Sequence, residues 1–489
     1  MPGAGEAATE RGLLARVLRN SVSMTAGRVG AAVARLAVAA IVVRMAGATT
    51  FAEYVLVLGI LAIAEWLLDF GTTEIAVRDL CQPAATGIAA APLLRAVARS
   101  KLLLAPVAVL CFLFTLLALR YPAHVQQAGF VTALTLLPMA AVSVYRVVFK
   151  AQLHMGRELA AELLSVLLSI PFIVAALQAG GGLMALMLCH AGSRLVFLVL
   201  CVVFGRALGA FPGALAEPQG RNDVRQLLRE AAPIGLIGLL VAVYEALDVL
   251  FLSKLGQPLE LAWYSGAQRI VWPALMVLTA VGGSLYPALA RRWPDVQGRF
   301  ATDTQAALES VLLLAGLSAA TAFAGAEFLL GLLGPQLVPG AAVMRLLAVL
   351  VFVKAVAAAL GPVLYIVGAQ TGALKFIARA LLVKALVIWL LVSQVGYLGV
   401  AVAAILVEVL FAAVPTVRLL QSRSTWRLAW ARPLRIAGVT VLSALAALLI
   451  GGGGVVSAVL APLFFVPLAW VSRAVDRVRL AALVAAARA

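Results

Sequence analysis

Charge is what this sequence has least of. Only 12% of its 489 residues are Asp, Glu, Lys or Arg, and the acidic share is 21 residues against 38 basic ones. Soluble domains average about 25% charged residues, and the mean hydropathy here is +1.07. A soluble or merely surface-bound protein is thereby excluded. Cysteine is also sparse: Cys81, Cys111, Cys189 and Cys201 are scattered without a CxxC pair, and His124, His154 and His190 share no ligand spacing. Neither a disulfide framework nor a metal site is supported, and no cofactor is expected. The first twenty residues hold Glu10, Arg11, Arg16 and Arg19 but no apolar core with a cleavage site. The first apolar run is therefore expected to stay as a transmembrane helix.

What the chain does have is apolar length, 64% of it hydrophobic. Fourteen runs are long enough to span a bilayer, at 22–46, 51–70, 101–119, 127–149, 160–179, 182–204, 231–253, 266–288, 307–330, 341–366, 376–395, 397–420, 434–450 and 454–472. The expected fold is an all-α polytopic membrane protein of 14 transmembrane helices. Alternate connections carry the basic residues: Arg78, Arg95, Arg99 and Lys101; Lys150 and Arg157; Arg206, Arg221, Arg225 and Arg229; Arg291, Arg292 and Arg299; Lys375; Arg418, Arg423, Arg427 and Arg432; and Arg473, Arg477 and Arg479. The intervening connections have little beyond Arg120 and Lys254. The positive-inside rule places the basic loops and both termini in the cytoplasm, which requires an even number of spans. The same pattern accounts for most of the net charge of +17 without a nucleic-acid partner.

The outer connections at 180–182, 331–340, 395–396 and 451–453 are too short to hold an external catalytic domain. Two halves repeat. Arg44, Gly47 and Tyr54 recur as Lys254, Gly256 and Tyr264, Gly156 as Gly372, and Gly182 as Gly396, at offsets of about 210 to 216 residues. Six spans intervene, so the copies have the same orientation and form two parallel six-helix lobes. The expected organisation is an N-terminal lobe at 1–204, a basic cytoplasmic linker at 205–230, a second lobe at 231–420, and two further helices with a tail at 421–489. Such repeats suit a transporter that alternates access to a site between its halves.

Within the first run stand Arg28 and Arg35. An arginine at bilayer depth costs at least about 2.5 kcal/mol. Seven residues place both on one helix face, roughly 10 Å apart along the axis. Ala26, Gly27, Gly30, Ala31 and Ala34 around them allow close helix packing. Two readings stay open: each arginine neutralises a carboxylate on a neighbouring helix, or both serve an anionic ligand, the depth of Arg35 favouring the second.

Other ionisable residues recur at depth: Glu65 and Asp69, Arg146, Arg194, Glu245 and Asp248, Arg269, Arg345 and Lys354, Lys384 and Glu408. Their expected place is the bundle interior or a wet cavity. By depth, Glu65 and Asp69 bracket Arg28, and Asp248 matches Arg269; these are the candidate gating or coupling pairs. Arg28, Arg35, Arg146, Arg194, Lys354 and Lys384 are the candidate cavity cations. Unpaired guanidinium groups in a cavity suit phosphate or pyrophosphate, which they grip through two hydrogen bonds. Arg44, Lys254 and Arg345 are expected to snorkel to an interface. Pro106, Pro138, Pro171, Pro233, Pro273 and Pro362 allow bends that could serve as hinges or be ordinary kinks.

Asn20 and Ser21 leading into Gly27, then Arg44, Gly47, Phe51 and Tyr54, then Phe70, Gly71 and Arg78 form one series of spaced positions. A second runs through Asp248, Leu252, Gly256, Tyr264, Ala267 and Gln268 to Tyr286, Pro287 and Ala290. Over nearly its whole length the chain thereby resembles the polysaccharide flippases of the multidrug/oligosaccharidyl-lipid/polysaccharide exporter superfamily. The resemblance implies a two-lobed, V-shaped bundle that moves an undecaprenyl-pyrophosphate-linked oligosaccharide to the periplasmic leaflet through a cationic lumen, with Arg28 and Arg35 filling the family's basic role on the first helix. Membrane lipid, a polysaccharide polymerase and a chain-length regulator are the partners it implies.

O-antigen, capsule or exopolysaccharide assembly is the leading expectation. A flippase for the peptidoglycan lipid precursor shares the fold and charge logic. A cation-coupled drug antiporter would use Glu65 or Asp69. A membrane glycosyltransferase or polymerase would need a large outer loop or an acidic metal motif, and neither is present.

Overall fold

The computed structural model describes residues 4–82, 90–207, 224–294 and 298–475, with the side chains at 4–26, 28, 90, 287–288 and 370–375 left aside. Its regular structure is helical throughout these residues. Two compact units divide the chain, Met1–Leu250 and Phe251–Ala489.

The first unit opens with α1, Ala4–Asp69, in which Gly47 (φ 87°, ψ 166°) is the non-helical residue. Only glycine occupies that region at low cost. The apolar part, Val29–Asp69, is 41 residues, about 60 Å of helix and twice the hydrocarbon thickness. Gly47 divides it into two legs. Next come α2 (Thr72–Cys81), α3 (Ala90–Ala118), α4 (Ala123–Ala133), α5 (Leu136–Ala151), α6 (Met155–Gln178), α7 (Leu183–Arg206) and α8 (Val224–Leu255). The α4–α5 break follows from Pro138, which cannot donate to Leu134 four residues back; the Leu137 amide takes that carbonyl at 3.2 Å. Ala31, Ala34 and Ala39 are buried on α1, which packs against α6 and α3. Ile75, Val97, Val147 and Leu227 join α2, α3, α5 and α8 in one buried cluster. Leu102, Leu110, Phe114 and Phe172 stand exposed, as side chains facing hydrocarbon must.

In the second unit follow α9 (Pro258–Ala290), α10 (Arg299–Ala324), α11 (Ala326–Leu333), a 3₁₀ turn at Pro335–Gly340, α12 (Ala341–Ile366), α13 (Gln370–Val395) and α14 (Tyr397–Val407). A π-helical segment, Glu408–Ala413, leads into α15 (Val414–Arg423), and α16 (Ala431–Gly451) pairs with α17 (Val455–Val471). This last hairpin is fastened to α10: Gly316 leaves room for Thr440 and Phe465, Gly325 for Ala458, and Arg432 reaches Glu309 at 3.2 Å. Gly182 and Gly396, paired by the repeat, each stand immediately before a helix, α7 and α14.

Twelve helices among the described residues are long and apolar enough to cross a membrane, and Val455–Val471 is a shorter apolar helix. The protein is a multi-pass membrane protein. Two causes separate twelve from the expected fourteen: 22–46 and 51–70 run together as one helix through Gly47, and α17 has only 17 residues.

One contact in the first unit leaves no slack. A Cβ on Gly235 of α8 would lie 2.6 Å from the Phe70 carbonyl oxygen and 2.7 Å from its carbon. Backbone cannot yield there as a flexible side chain would. Gly235→Ala is expected to destabilise by about 1–3 kcal/mol through overpacking, outweighing the roughly 1 kcal/mol that alanine gains in a helix. Gly283→Ala on α9, with nothing within 4 Å, is expected to be neutral or stabilising. Thermal unfolding of the two purified variants in detergent checks the contrast.

Candidate functional site

Apolar faces of membrane helices are nearly interchangeable, so an ionised group that needs a partner restricts how each helix can be rotated. In the first unit the ionised groups converge. Arg35, on the first leg of α1, bonds Glu162 of α6 through Nη2. Four residues earlier on the same face of α6, Glu158 accepts from Arg146 Nε of α5 at 2.6 Å. Arg194 of α7 reaches Glu65, on the second leg of α1, at 3.1 Å, and its Nε lies 3.4 Å from His190 Nε2. Asp69, at the end of that leg, takes Lys101 Nζ of α3 at 2.8 Å and the Thr73 hydroxyl. Lys101 also donates to the carbonyls of Leu68 at 3.3 Å and Asp69 at 3.1 Å.

The pairs are electrically linked: Arg146 lies within the field of Asp69 and Glu65, and His190 within that of Arg194 and Arg35. Arg35, Lys101, Arg146 and Arg194 thus each face a carboxylate. Arg28 lies on α1, and its side chain is outside the described residues.

Arg35, Arg146, Arg194 and Lys354, for which sequence position offers few obvious partners, thus each meet a carboxylate, and Glu65 and Asp69, expected at the level of Arg28, are held by Arg194 and Lys101. Depth along a helix follows from residue number, but the direction a side chain takes around the axis depends on its neighbours. Glu65 and Asp69 are drawn to Arg194 and Lys101, more than thirty residues away in sequence. Glu158, Glu162, Lys101 and Thr73 were absent from the expected site. One signal could have found two of them: Glu158 and Glu162 share a helix face by their four-residue spacing.

In the second unit Lys354 of α12 lies 3.9 Å from Glu408, the first residue of the π segment. π-helical turns inside α-helices recur at functional sites. Lys384 of α13 is buried, as is Asp248 of α8 in the first unit. These two and Arg269 of α9 are each engaged with neighbours rather than free. Arg345, expected to snorkel, instead bonds Glu327 at 3.0 Å.

Outside the spans, Arg78 of α2 contacts Glu230 and Asp79, each at 2.8 Å. The Glu230 hydrogen bond, then that to Asp79, raises the pKa of its guanidinium further above the ordinary arginine range. It stays charged at every accessible pH.

The family profile described as polysaccharide biosynthesis protein matches residues 17–293, more than half of the chain and nearly all of the first unit. The chain belongs to this family. No curated protein matches the sequence. Among solved structures, the family member's fold is similar to that of the lipid II flippase MurJ in an inward closed conformation, with a TM-score of 0.69 and 10% identity over 93% of this chain and 98% of that one. It is also similar to a multidrug resistance MATE family transporter of the MOP superfamily. The inward-facing form gives a TM-score of 0.61 at 14% identity over 81% of this chain and 96% of that one. A MATE family transporter of that superfamily in an outward-facing conformation gives 0.57 at 16% identity over 84% of this chain and 97% of that one. The chain therefore has the MurJ/MATE fold.

Burial separates the charge pairs by task. Lys101 and Asp69 are sealed, with side chains 2% and 17% exposed, and an ion of either sign orphaned there costs about 3–5 kcal/mol. Lys101→Met is expected to destabilise the purified protein by that amount. Lys101→Met with Asp69→Asn is expected to recover most of the loss, because no unpaired charge remains. A double-mutant cycle in thermal unfolding measures the difference.

Proposed function

We propose that this protein is a flippase that carries undecaprenyl-pyrophosphate-linked oligosaccharide from the cytoplasmic to the periplasmic leaflet of a bacterial inner membrane, by alternating access, for O-antigen, capsule or exopolysaccharide assembly. The observation that carries the reading is the Arg35–Glu162 pair: a guanidinium midway along the first membrane leg, bonded through one nitrogen and 45% exposed, in a chain of the polysaccharide biosynthesis family. Such a group can take a phosphate in a forked, two-bond grip. Arg28, Arg146 and Arg194, with Lys354 and Lys384 in the second unit, are the other cations proposed for the anion path. Glu65, Asp69, Asp248 and Arg269 are proposed as gating or coupling groups. Loading and release are proposed to rock the lobes at 1–204 and 231–420 about the 205–230 linker, with both termini cytoplasmic.

Direction has a physical source in this reading. A pyrophosphate headgroup carrying about two or three negative charges gains about 2.3 kcal/mol per charge per 100 mV on leaving an inside-negative cell. Membrane potential alone would then favour outward movement.

A peptidoglycan lipid-precursor flippase is the second reading, favoured by the fold likeness to the lipid II flippase. Cation-coupled drug antiport is the weaker one, since Glu65 and Asp69 are held by Arg194 and Lys101.

Reconstitution in proteoliposomes tests the proposal. The native protein is expected to translocate undecaprenyl-pyrophosphate oligosaccharide, and Arg35→Gln at matched insertion is expected to slow it roughly 10- to 100-fold, the worth of one charge-assisted hydrogen bond set. Translocation of lipid II alone would select the second reading. Equal rates for native and variant would remove Arg35 from the path.

A further inference from the structure

The inner pairs of the first unit differ in how easily an outside anion could reach them. Lys101–Asp69 is sealed, and Lys101 spends its remaining donors on two carbonyls. Glu158 is bonded to Arg146 at 2.6 Å and Glu65 to Arg194 at 3.1 Å, their arginines mostly covered. Arg35–Glu162 is the open one, at 45% and 24% exposure. Among the described residues, Arg35 makes that single bond, from Nη2, which leaves Nε and Nη1 uncommitted.

Helix packing gives the pair a direction. A Cβ on Gly27 would meet Leu159 at 3.2 Å and one on Gly30 would meet Leu163 at 3.6 Å. The first leg of α1 and the start of α6 therefore run in parallel, with Glu162 level with Gly30. Arg35 stands five residues further on, so its side chain leans back along α1 to meet Glu162. It leans toward the end that carries the basic connections, which in the proposed orientation is where substrate loads.

Glu162 does not hold its partner strongly, because the pair is open on one side. A half-open ion pair is itself worth about 1 kcal/mol or less. A diphosphate offers more charge and two oxygens to the same fork.

We propose that Glu162 is the resident counter-anion of the unloaded carrier: it holds Arg35 at the loading side, is displaced from the guanidinium by the substrate's diphosphate, and recaptures Arg35 when the substrate leaves. Glu162 is in this sense a specificity-determining residue that sets how weakly the site must release its cargo. The inference rests on the flippase reading and deepens it.

Binding of a short-chain prenyl diphosphate to the purified full-length protein in nanodiscs, followed by calorimetry, tests this. Glu162→Gln is expected to tighten binding by up to about fivefold, the worth of the half-open pair, since the competing charge is gone. Glu162→Asp, which withdraws the carboxylate by one methylene, is expected to tighten it by a smaller factor and serves should the Gln variant fail to fold. Arg35→Gln, alone or with Glu162→Gln, is expected to lose that gain and bind more weakly than native. In proteoliposomes, Glu162→Gln is expected to turn over more slowly despite binding tighter, because release is hindered. Unchanged or weaker binding by both Glu162 variants, with Arg35→Gln still impaired, overturns the counter-anion role and leaves the flippase reading standing. Absence of any diphosphate binding by the native protein removes both.

Discussion

An ionised side chain inside an apolar bundle must meet its opposite, and most of the first unit is arranged around that requirement. Removing Lys101 or Arg146 from water is compensated only by a carboxylate at hydrogen-bond distance, and the carboxylates come from other helices. Lipid supplies no hydrophobic force to press one helix against another. Small residues such as Ala31, Ala34 and Ala39 decide how near two helices can come; the charge pairs decide how each is rotated. α1 illustrates both: its first leg is oriented by Glu162 of α6 and its second by Arg194 of α7 and Lys101 of α3.

The pairs are graded. At one end is Lys101–Asp69, with the Leu68 and Asp69 carbonyls and the Thr73 hydroxyl recruited, an arrangement suited to holding α3 on the end of α1. At the other is Arg35–Glu162, open and singly bonded. A transporter needs both kinds. In the proposed cycle the sealed pair would keep the scaffold intact while the open one exchanges its partner, and a site of bare cations with nothing to exchange would hold an anionic cargo rather than pass it on.

Much of this was legible before any coordinates. Hydropathy located the spans because a bilayer imposes a length on them, and Gly47 could be read as a turn because it separates two apolar runs. Arg35, Arg146, Arg194, Glu65 and Asp69 were recognisable as interior charges from their cost alone. Their pairing was not legible, since depth follows from residue number and azimuth does not. Glu162 stands in an apolar run, and its kinship with Glu158 shows only when helical spacing is applied to acids as well as to Arg28 and Arg35. Lys101 read as a loop charge because basic residues cluster at span ends; here the helix begins earlier, at Ala90, and carries it inside. The π turn at Glu408 left no mark in composition.

Gly47 has a consequence for how the chain tolerates change in length. The turn between the legs of α1 is made by one residue with φ 87°, not by a loop that can absorb an extra residue. Each residue added to or taken from a helix rotates everything beyond it by about 100°. One insertion or deletion at that point would swing Glu65 and Asp69 together away from Arg194 and Lys101, with no residue of the charge cluster altered. The spacing between the legs is as much a component of that cluster as the carboxylates themselves, and a tip that elsewhere would be the freest place for an insertion is here the phase reference for two elements.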